Sequence, residues 1–382
     1  AANPDVLKVP EKIRVLQCIR QGQVGGGESH LLTLIEHLDK DRFDPLVLSF
    51  TDGPMVARLQ AAQVPVEVIA TTRPFDVTRW QQVYRWMAKK APHLVHAHGT
   101  RAHSNVFWAA RKLKLPVLYT IHGWSFHEDQ SFFKKRLRTW GERYLTQQAH
   151  TNISVSESNR QTGLDQFAGF QSVVVPNGIN LQRFEKTEPV AALRNELDTP
   201  VNAVVVLFLA RLTHQKQPLA LLEAFAAAAA QNPNLYLWMI GDGELKTAVQ
   251  DWVTQSTVGA RVRLQGFRAD VPALLQAADV FVLPSLWEGM PIALLEAMAA
   301  AKAIIATRVD GTKELLQHTI NGWLIDTLQL HTQLTEALLL LGSDPALRSQ
   351  LAARARSTVA EGYDAVSMTR KIESLYLKTV LQ

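Results

Sequence analysis

Glu288 and Glu296 stand eight positions apart in the run Pro284-Ser285-Leu286-Trp287-Glu288-Gly289-Met290-Pro291-Ile292-Ala293-Leu294-Leu295-Glu296-Ala297-Met298-Ala299. Two carboxylates at this spacing can accept hydrogen bonds from vicinal hydroxyls. Pro284 ends an apolar strand over Val280–Leu283, and Pro291, with no N–H to lose, suits the first position of the helix that follows. Glu288 therefore falls on a loop at the carboxyl end of a strand, and Glu296 further along the helix. The backbone N–H groups of Gly289, Met290 and Ile292 face the same crevice, where a helix start attracts phosphate. Hydroxyl acceptors flanking a phosphate site are what a nucleotide sugar requires. A carboxylate among Ala293, Leu294, Leu295, Ala297 and Met298 is costly unless something satisfies it, which argues against an ordinary polar helix face.

Other groups with chemical potential also sit at strand ends. Arg211 and Lys216 follow the run Ala203–Leu209, and two cations five residues apart can turn to one anion. Gly25-Gly26-Gly27-Glu28 lies between the first strand and its helix, where glycines let the backbone approach a ligand closely. A dinucleotide fingerprint fails there, because its last glycine position is His30. His96-Ala97-His98-Gly99 and Thr120-Ile121-His122-Gly123 each end a strand; no cysteine or spaced carboxylate completes a metal site with them, and no metal is expected. Gly241-Asp242-Gly243 and Gly266-Phe267-Arg268 follow two further strands and would otherwise be plain turns. Asp39-Lys40-Asp41 has a D-x-D pattern, but it lies at the wrong edge of a sheet for a ligand site and reads as a solvated loop.

The elements that must position these groups alternate strand and helix twice over. Apolar runs at Ile13–Ile19, Leu46–Phe50, Val64–Ile69, Leu94–His96, Val117–Ile121, Thr151–Val155 and Ser172–Val175 fill the first half. Ala203–Leu209, Leu235–Ile240, Val262–Leu264, Val280–Leu283 and Ala303–Ala306 fill the second. Amphipathic segments such as Glu28–Leu38 and Thr78–Lys90 separate them. Near-continuous β-branched runs between helices predict parallel sheets covered on both faces, hence two doubly wound α/β domains, with ligands beyond the carboxyl ends of the strands. The domains are expected at 1–180 and 181–363, joined at the turn Pro176-Asn177-Gly178, with a last helix over 364–382 returning to the first.

The chain of 382 residues is long enough for two full cores. No apolar stretch approaches the ~18–20 residues of a membrane span. With one cysteine, Cys18, and no charged-then-apolar leader, the expected location is cytoplasmic. Residues 1–183 carry 23 Lys+Arg against 15 Asp+Glu, so an anionic partner is expected there: a phosphate-bearing acceptor or the inner face of a membrane. No nucleic-acid motif supports that class of partner. Phe132–Trp140 mixes aromatic and basic residues on one helix. Phe133, Leu137, Trp140 and Tyr144 share a stripe that reads as core, while Phe132 and the cations Lys134, Lys135, Arg136 and Arg138 fall outside it, as on a helix resting on anionic lipid, or else as a solvated charge run.

The segment around Glu288 and Glu296 resembles the E-x₇-E motif of retaining glycosyltransferase family four, which has the glycosyltransferase B fold. The likeness extends from Ile13 to the C-terminus through the G-G-x-E, T-x-H-G and A-R-L…K signatures. It implies two Rossmann-like domains facing a central cleft and retaining transfer of a sugar from a UDP- or GDP-sugar to a glycan or lipid-linked acceptor, without metal or cofactor. It implies that Glu288 binds the donor sugar, Glu296 the ribose, Arg211 and Lys216 the diphosphate, and His122 the sugar or its phosphate. Gly26, Gly27, Gly241, Asp242, Phe267, Arg268, Gly289, Met290 and Ile292 would border the donor, and Glu28, His98 and Arg101 the acceptor. Ala301 and Asp310 stand where this family commonly has glycine. An epimerase or phosphorylase of the same fold, or a non-catalytic nucleotide-sugar sensor, are the alternatives; the intact charged set weighs against the sensor.

Overall fold

The computed structural model describes residues 10–20, 26–185 and 189–382. The chain divides into two compact units, one running to Gly178 and including Ala365–Gln382, the other spanning Ile179–Asp364. No helix among the described residues is long and apolar enough to cross a membrane.

Seven strands build the first unit's sheet: β1 (Ile13–Ile19), β2 (Phe43–Ser49), β3 (Val66–Val68), β4 (Leu94–His98), β5 (Val117–Ile121), β6 (Thr151–Ser154) and β7 (Val173–Val174). All pair in parallel, in the order β3-β2-β1-β4-β5-β6-β7. The order reverses between β1 and β4, which opens a crevice beyond their carboxyl ends. The central strands of the sheet are buried on both faces, as their unbroken apolar runs require. Along β1, Leu16 and Cys18 join one core. Ile13 and Val15 face the other way, onto Met368, Ile372 and Tyr376 of the last helix, Ala365–Leu381. The two-residue period of a strand thus gives one strand to two cores.

The second unit's sheet contains β8 (Val204–Leu209), β9 (Leu235–Ile240), β10 (Val262–Gln265), β11 (Val280–Leu283), β12 (Ala303–Thr307) and β13 (Trp323–Ile325). Their order, β10-β9-β8-β11-β12-β13, again parallel, reverses between β8 and β11. Sequence reasoning missed β13, whose three residues are too few to show a period. The pattern otherwise places each strand to within about three residues at its ends, the usual fraying uncertainty.

Two local expectations change. The helix after β11 runs Ile292–Ala299, and Pro291 precedes it as an extended capping residue, at φ −73° and ψ 113°. Proline serves there because its own C=O, not an N–H, starts the helix: Leu295 N–H donates to Pro291 O at 3.2 Å. In the first unit, Gly26, Gly27 and Glu28 form the first turn of the helix Gly26–His37 rather than a loop, and Gly25 lies outside the described residues.

Candidate functional site

The second unit's crevice is built by the loops after β8 and β11, the two strands at the reversal. Four contacts lace them together. Leu286 N–H donates to Gln215 O at 2.8 Å. Gln215 Nε2 donates to Trp287 O at 2.7 Å, and Gln217 Nε2 to Pro284 O at 2.8 Å. Lys216 Nζ donates to Glu288 Oε1, an ion pair whose side chains are only 15% and 7% exposed. Ser285 Oγ adds a hydrogen bond to the same oxygen at 2.6 Å. Glu288 N–H donates to Asp310 Oδ2 at 2.8 Å, so the carboxylate is held from both ends. A buried charge pair with further hydrogen bonds is rigid and sensitive to the loss of either partner.

Asp310 was legible only as a departure from glycine. Its φ is +34°, a strained conformation for a residue with a Cβ, and burial raises its pKa above the ordinary carboxylate range. The next residue has no room for a side chain: a Cβ on Gly311 would stand 2.0 Å from Gly289 O, which accepts the Gly311 N–H at 3.1 Å. The loop after β12 thereby clamps the turn containing Glu288, Gly289 and Met290.

Glu296 is buried in its helix, and burial pushes its pKa up to about 7, partly offset by the positive charge of Arg183. Arg183, in the short helical turn Leu181–Phe184, was missed because that stretch reads as linker; nothing local marks its pairing. Arg211 is exposed and makes no ion pair among the described residues, so its guanidinium is available to an anion.

The remaining donor-side residues lie along the same sheet edge. Gly241, after β9, has φ +150°, and a Cβ there would meet Ala210 O at 1.9 Å; glycine is required for the β8 and β9 loops to pack. Asp242 accepts from Lys246 at 2.9 Å and from Gly243 N–H at 2.8 Å, which lowers its pKa. Phe267 is exposed. The Arg268 guanidinium grips both oxygens of Asp270, at 2.8 and 2.6 Å, and Glu196 at 2.7 Å. Those bonds use most of its donors and fix the loop.

In the first unit, the register Ile19↔His98 and His98↔Thr120 sets His98 at the carboxyl edge beside the strand reversal. His98, His122 and His30 cluster there, their ring centroids 4.9–5.4 Å apart. His30, from the first helix, was seen in the sequence only as the residue that breaks a glycine pattern. Burial lowers the pKa of all three, His122 to about 4, so each is neutral at pH 7. These three could hold a metal ion, one ligand atom from each lying within 4.8 Å of the others.

A hydrogen-bond chain fixes the protons of His98 and His122. Gln17 Nε2 donates to the Tyr376 hydroxyl at 2.8 Å, and Gln17 Oε1 faces His98 Nε2 at 2.8 Å. A carbonyl oxygen only accepts, so His98 carries its hydrogen on Nε2. His98 Nδ1 then accepts from His122 Nε2 at 3.2 Å. In the other direction the Tyr376 hydroxyl donates to His96 Nδ1 at 2.5 Å, and His96 Nε2 to Thr120 Oγ1 at 2.7 Å. His122 therefore presents Nδ1 as a bare acceptor, set by a tyrosine on the last helix. Glu28 is buried nearby on the first helix, and Arg101, half-buried, opens the helix after β4.

Two Rossmann-like units, each with charged or imidazole groups at its strand reversal, have the architecture of the glycosyltransferase B fold. Two family models match the chain in tandem: Glycosyltransferase Family 4 over residues 24–183 and Glycosyl transferases group 1 over 190–358. The chain belongs to this glycosyltransferase family, whose members move a sugar from a nucleotide sugar to a lipid or glycan acceptor. It is similar to the UDP-Gal:alpha-D-GlcNAc-diphosphoundecaprenol alpha-1,3-galactosyltransferase of Escherichia coli, 27% identical over 381 residues, 97% of this chain and 98% of that one. It also resembles the alpha-monoglucosyldiacylglycerol synthase of Acholeplasma laidlawii, 24% identical over 374 residues, 93% and 90% of the two chains. Among solved structures, Anabaena Alr3699/HepE in complex with UDP and glucose superposes with a TM-score of 0.82 at 23% identity, covering 95% of this chain and 99% of that one.

Proposed function

We propose that the protein is a retaining hexosyltransferase that uses a UDP-sugar and glycosylates a lipid-linked glycan, the second unit binding the donor and the first the acceptor. The observation that carries this is the rigid Lys216–Glu288 pair at the β8/β11 reversal, with Arg211 open to an anion beyond β8 and Glu296 buried in the helix that follows. Lys216 and Arg211 neutralise the diphosphate, so no divalent ion is needed there. Glu288 accepts hydroxyls of the donor sugar and Glu296 those of the ribose. In the reaction the bond from the sugar's anomeric carbon to the diphosphate oxygen breaks, and a bond from that carbon to the acceptor oxygen forms on the same face. The acceptor's proton passes to the departing diphosphate, so no protein nucleophile is required. The choice of UDP over GDP is supported by the names of the galactosyltransferase relative and of the UDP-bound neighbour.

The acceptor's lipid places the protein on a membrane surface, and the helix Phe132–Gln148 is suited to it. Phe132, Phe133, Leu137 and Trp140 are 65–83% exposed, so the core reading of that stripe is wrong for Phe133, Leu137 and Trp140. Lys134, Arg136 and Arg138 are exposed among them. Buried Glu142 anchors the helix by accepting from Thr100 Oγ1 and from Tyr119 at 3.0 Å.

Calorimetric titration with UDP and GDP in chelator tests the donor site. UDP should bind and GDP should not, and Lys216→Ala should abolish binding and cut turnover by on the order of 10²–10³-fold. Binding that appears only when a divalent ion is restored would overturn the metal-free diphosphate site. The anomeric configuration of the product, read by NMR, decides retention.

A further inference from the structure

We propose that His30, His98 and His122 form a binding site for a divalent transition-metal ion of the zinc class, three imidazole nitrogens with a fourth position open.

Geometry comes first. A tetrahedral shell with metal–nitrogen bonds of ~2.0–2.1 Å sets its ligand nitrogens about 3.4 Å apart. His98 Nδ1 and His122 Nε2 are already 3.2 Å apart. The full set lies within 4.8 Å, so side-chain movements of about 1 Å complete the shell.

His30 supplies an independent reason. It is buried, and neither of its ring nitrogens has a hydrogen-bond partner in acceptable geometry, although the Asn177 side chain stands beside it. A buried imidazole with at most one amide neighbour leaves a ring nitrogen unsatisfied, which is destabilising and calls for water or an ion. The ring is directed at the other two histidines rather than at apolar core.

The surroundings of His98 match those of a metal ligand. Its Nε2–H is directed to Gln17 Oε1, and Gln17 is held in turn by Tyr376. A carbonyl oxygen on the far ring nitrogen fixes the tautomer and aims the other lone pair inward, the usual support for a coordinating histidine. For His122 to coordinate through Nε2, its proton moves to Nδ1, so the ring stays neutral. His96 is excluded as a ligand, since Tyr376 and Thr120 occupy both of its nitrogens. Glu28 is buried two positions before His30 on the same helix.

One consequence rests on the proposed assignment of the acceptor to the first unit: the bound ion would occupy that unit's crevice, and zinc would inhibit transfer. Binding itself is read without turnover. Full-length protein, stripped of metal, is titrated with Co²⁺, whose visible absorption separates four- or five-coordinate from six-coordinate sites. One Co²⁺ per chain with the intense low-coordinate spectrum, displaced by Zn²⁺, is expected. His30→Gln and His98→Gln should each lose it, and Gln17→Leu should weaken it on the order of 10-fold; near-UV circular dichroism checks that each variant is folded. Only six-coordinate absorption, no binding by the folded wild type, or undiminished binding by folded His30→Gln and His98→Gln would overturn the site. Stoichiometric binding without inhibition would uphold the site and remove the histidine cluster from the acceptor.

Discussion

Glu296 is the residue whose chemistry depends most on its surroundings. Its pKa rises from the ordinary 4.5 to about 7 in the folded chain because the carboxylate loses water. An acid with a raised folded pKa stabilises the fold fully below its unfolded value and loses that contribution as pH climbs through 4.5 to 7. The loss is about 3 kcal/mol. Glu296→Gln should therefore raise the melting temperature at pH 8 and leave it nearly unchanged below pH 4.5. Equal shifts at both pH values would show that the carboxyl is not desolvated in the fold. Asp310 acts on the other carboxylate by another means, since a strained aspartate holds Glu288 by its backbone. Ala301 shares that strain, at φ +53°.

At the scale of elements, the helix Phe132–Gln148 and the last helix do opposite things with apolar residues. The last helix buries Met368, Ile372 and Tyr376 against β1 and its neighbours, and through Tyr376 it sets the histidine chain. The helix Phe132–Gln148 buries Glu142, Leu145 and Thr146 in its second half and exposes its aromatic first half. Burial of exposed aromatics at a lipid interface together with basic charge gives reversible binding that weakens with salt. Phe133→Ser with Trp140→Ser should reduce co-sedimentation with anionic vesicles and leave UDP affinity untouched. If the double variant still co-sediments like the wild type, this helix is not the contact. The same stripe shows how far sequence carries: its period was plain, but a helical stripe looks identical whether it meets core or solvent.

For the molecule as a whole, the division of labour between the units is open to measurement. A ligand that binds one folded unit stabilises that unit, by about 2.7 kcal/mol at 100 times its dissociation constant. Hydrogen exchange with saturating UDP should show its strongest protection in residues 210–217 and 284–290. Protection centred on the histidine cluster of the first unit would reverse the assignment of donor and acceptor.

Length, the alternation of apolar runs with amphipathic segments, and the spacing of Glu288 and Glu296 were enough to determine two doubly wound units and the strand ends that carry chemistry. Those features follow from local periodicity, and a parallel sheet buried on both faces leaves little freedom in where its ligand groups emerge. The tertiary structure alone decided the partners: Asp310 with the Glu288 backbone, Arg183 beside Glu296, Arg268 turned to Asp270 and Glu196, and His30 with His98 and His122. The chain positions of His30, His98 and His122 lie far apart, and only the order β2-β1-β4-β5 sets them at one edge. Charge pairing and desolvation act through space, between groups that strand order brings together, and no local pattern records them.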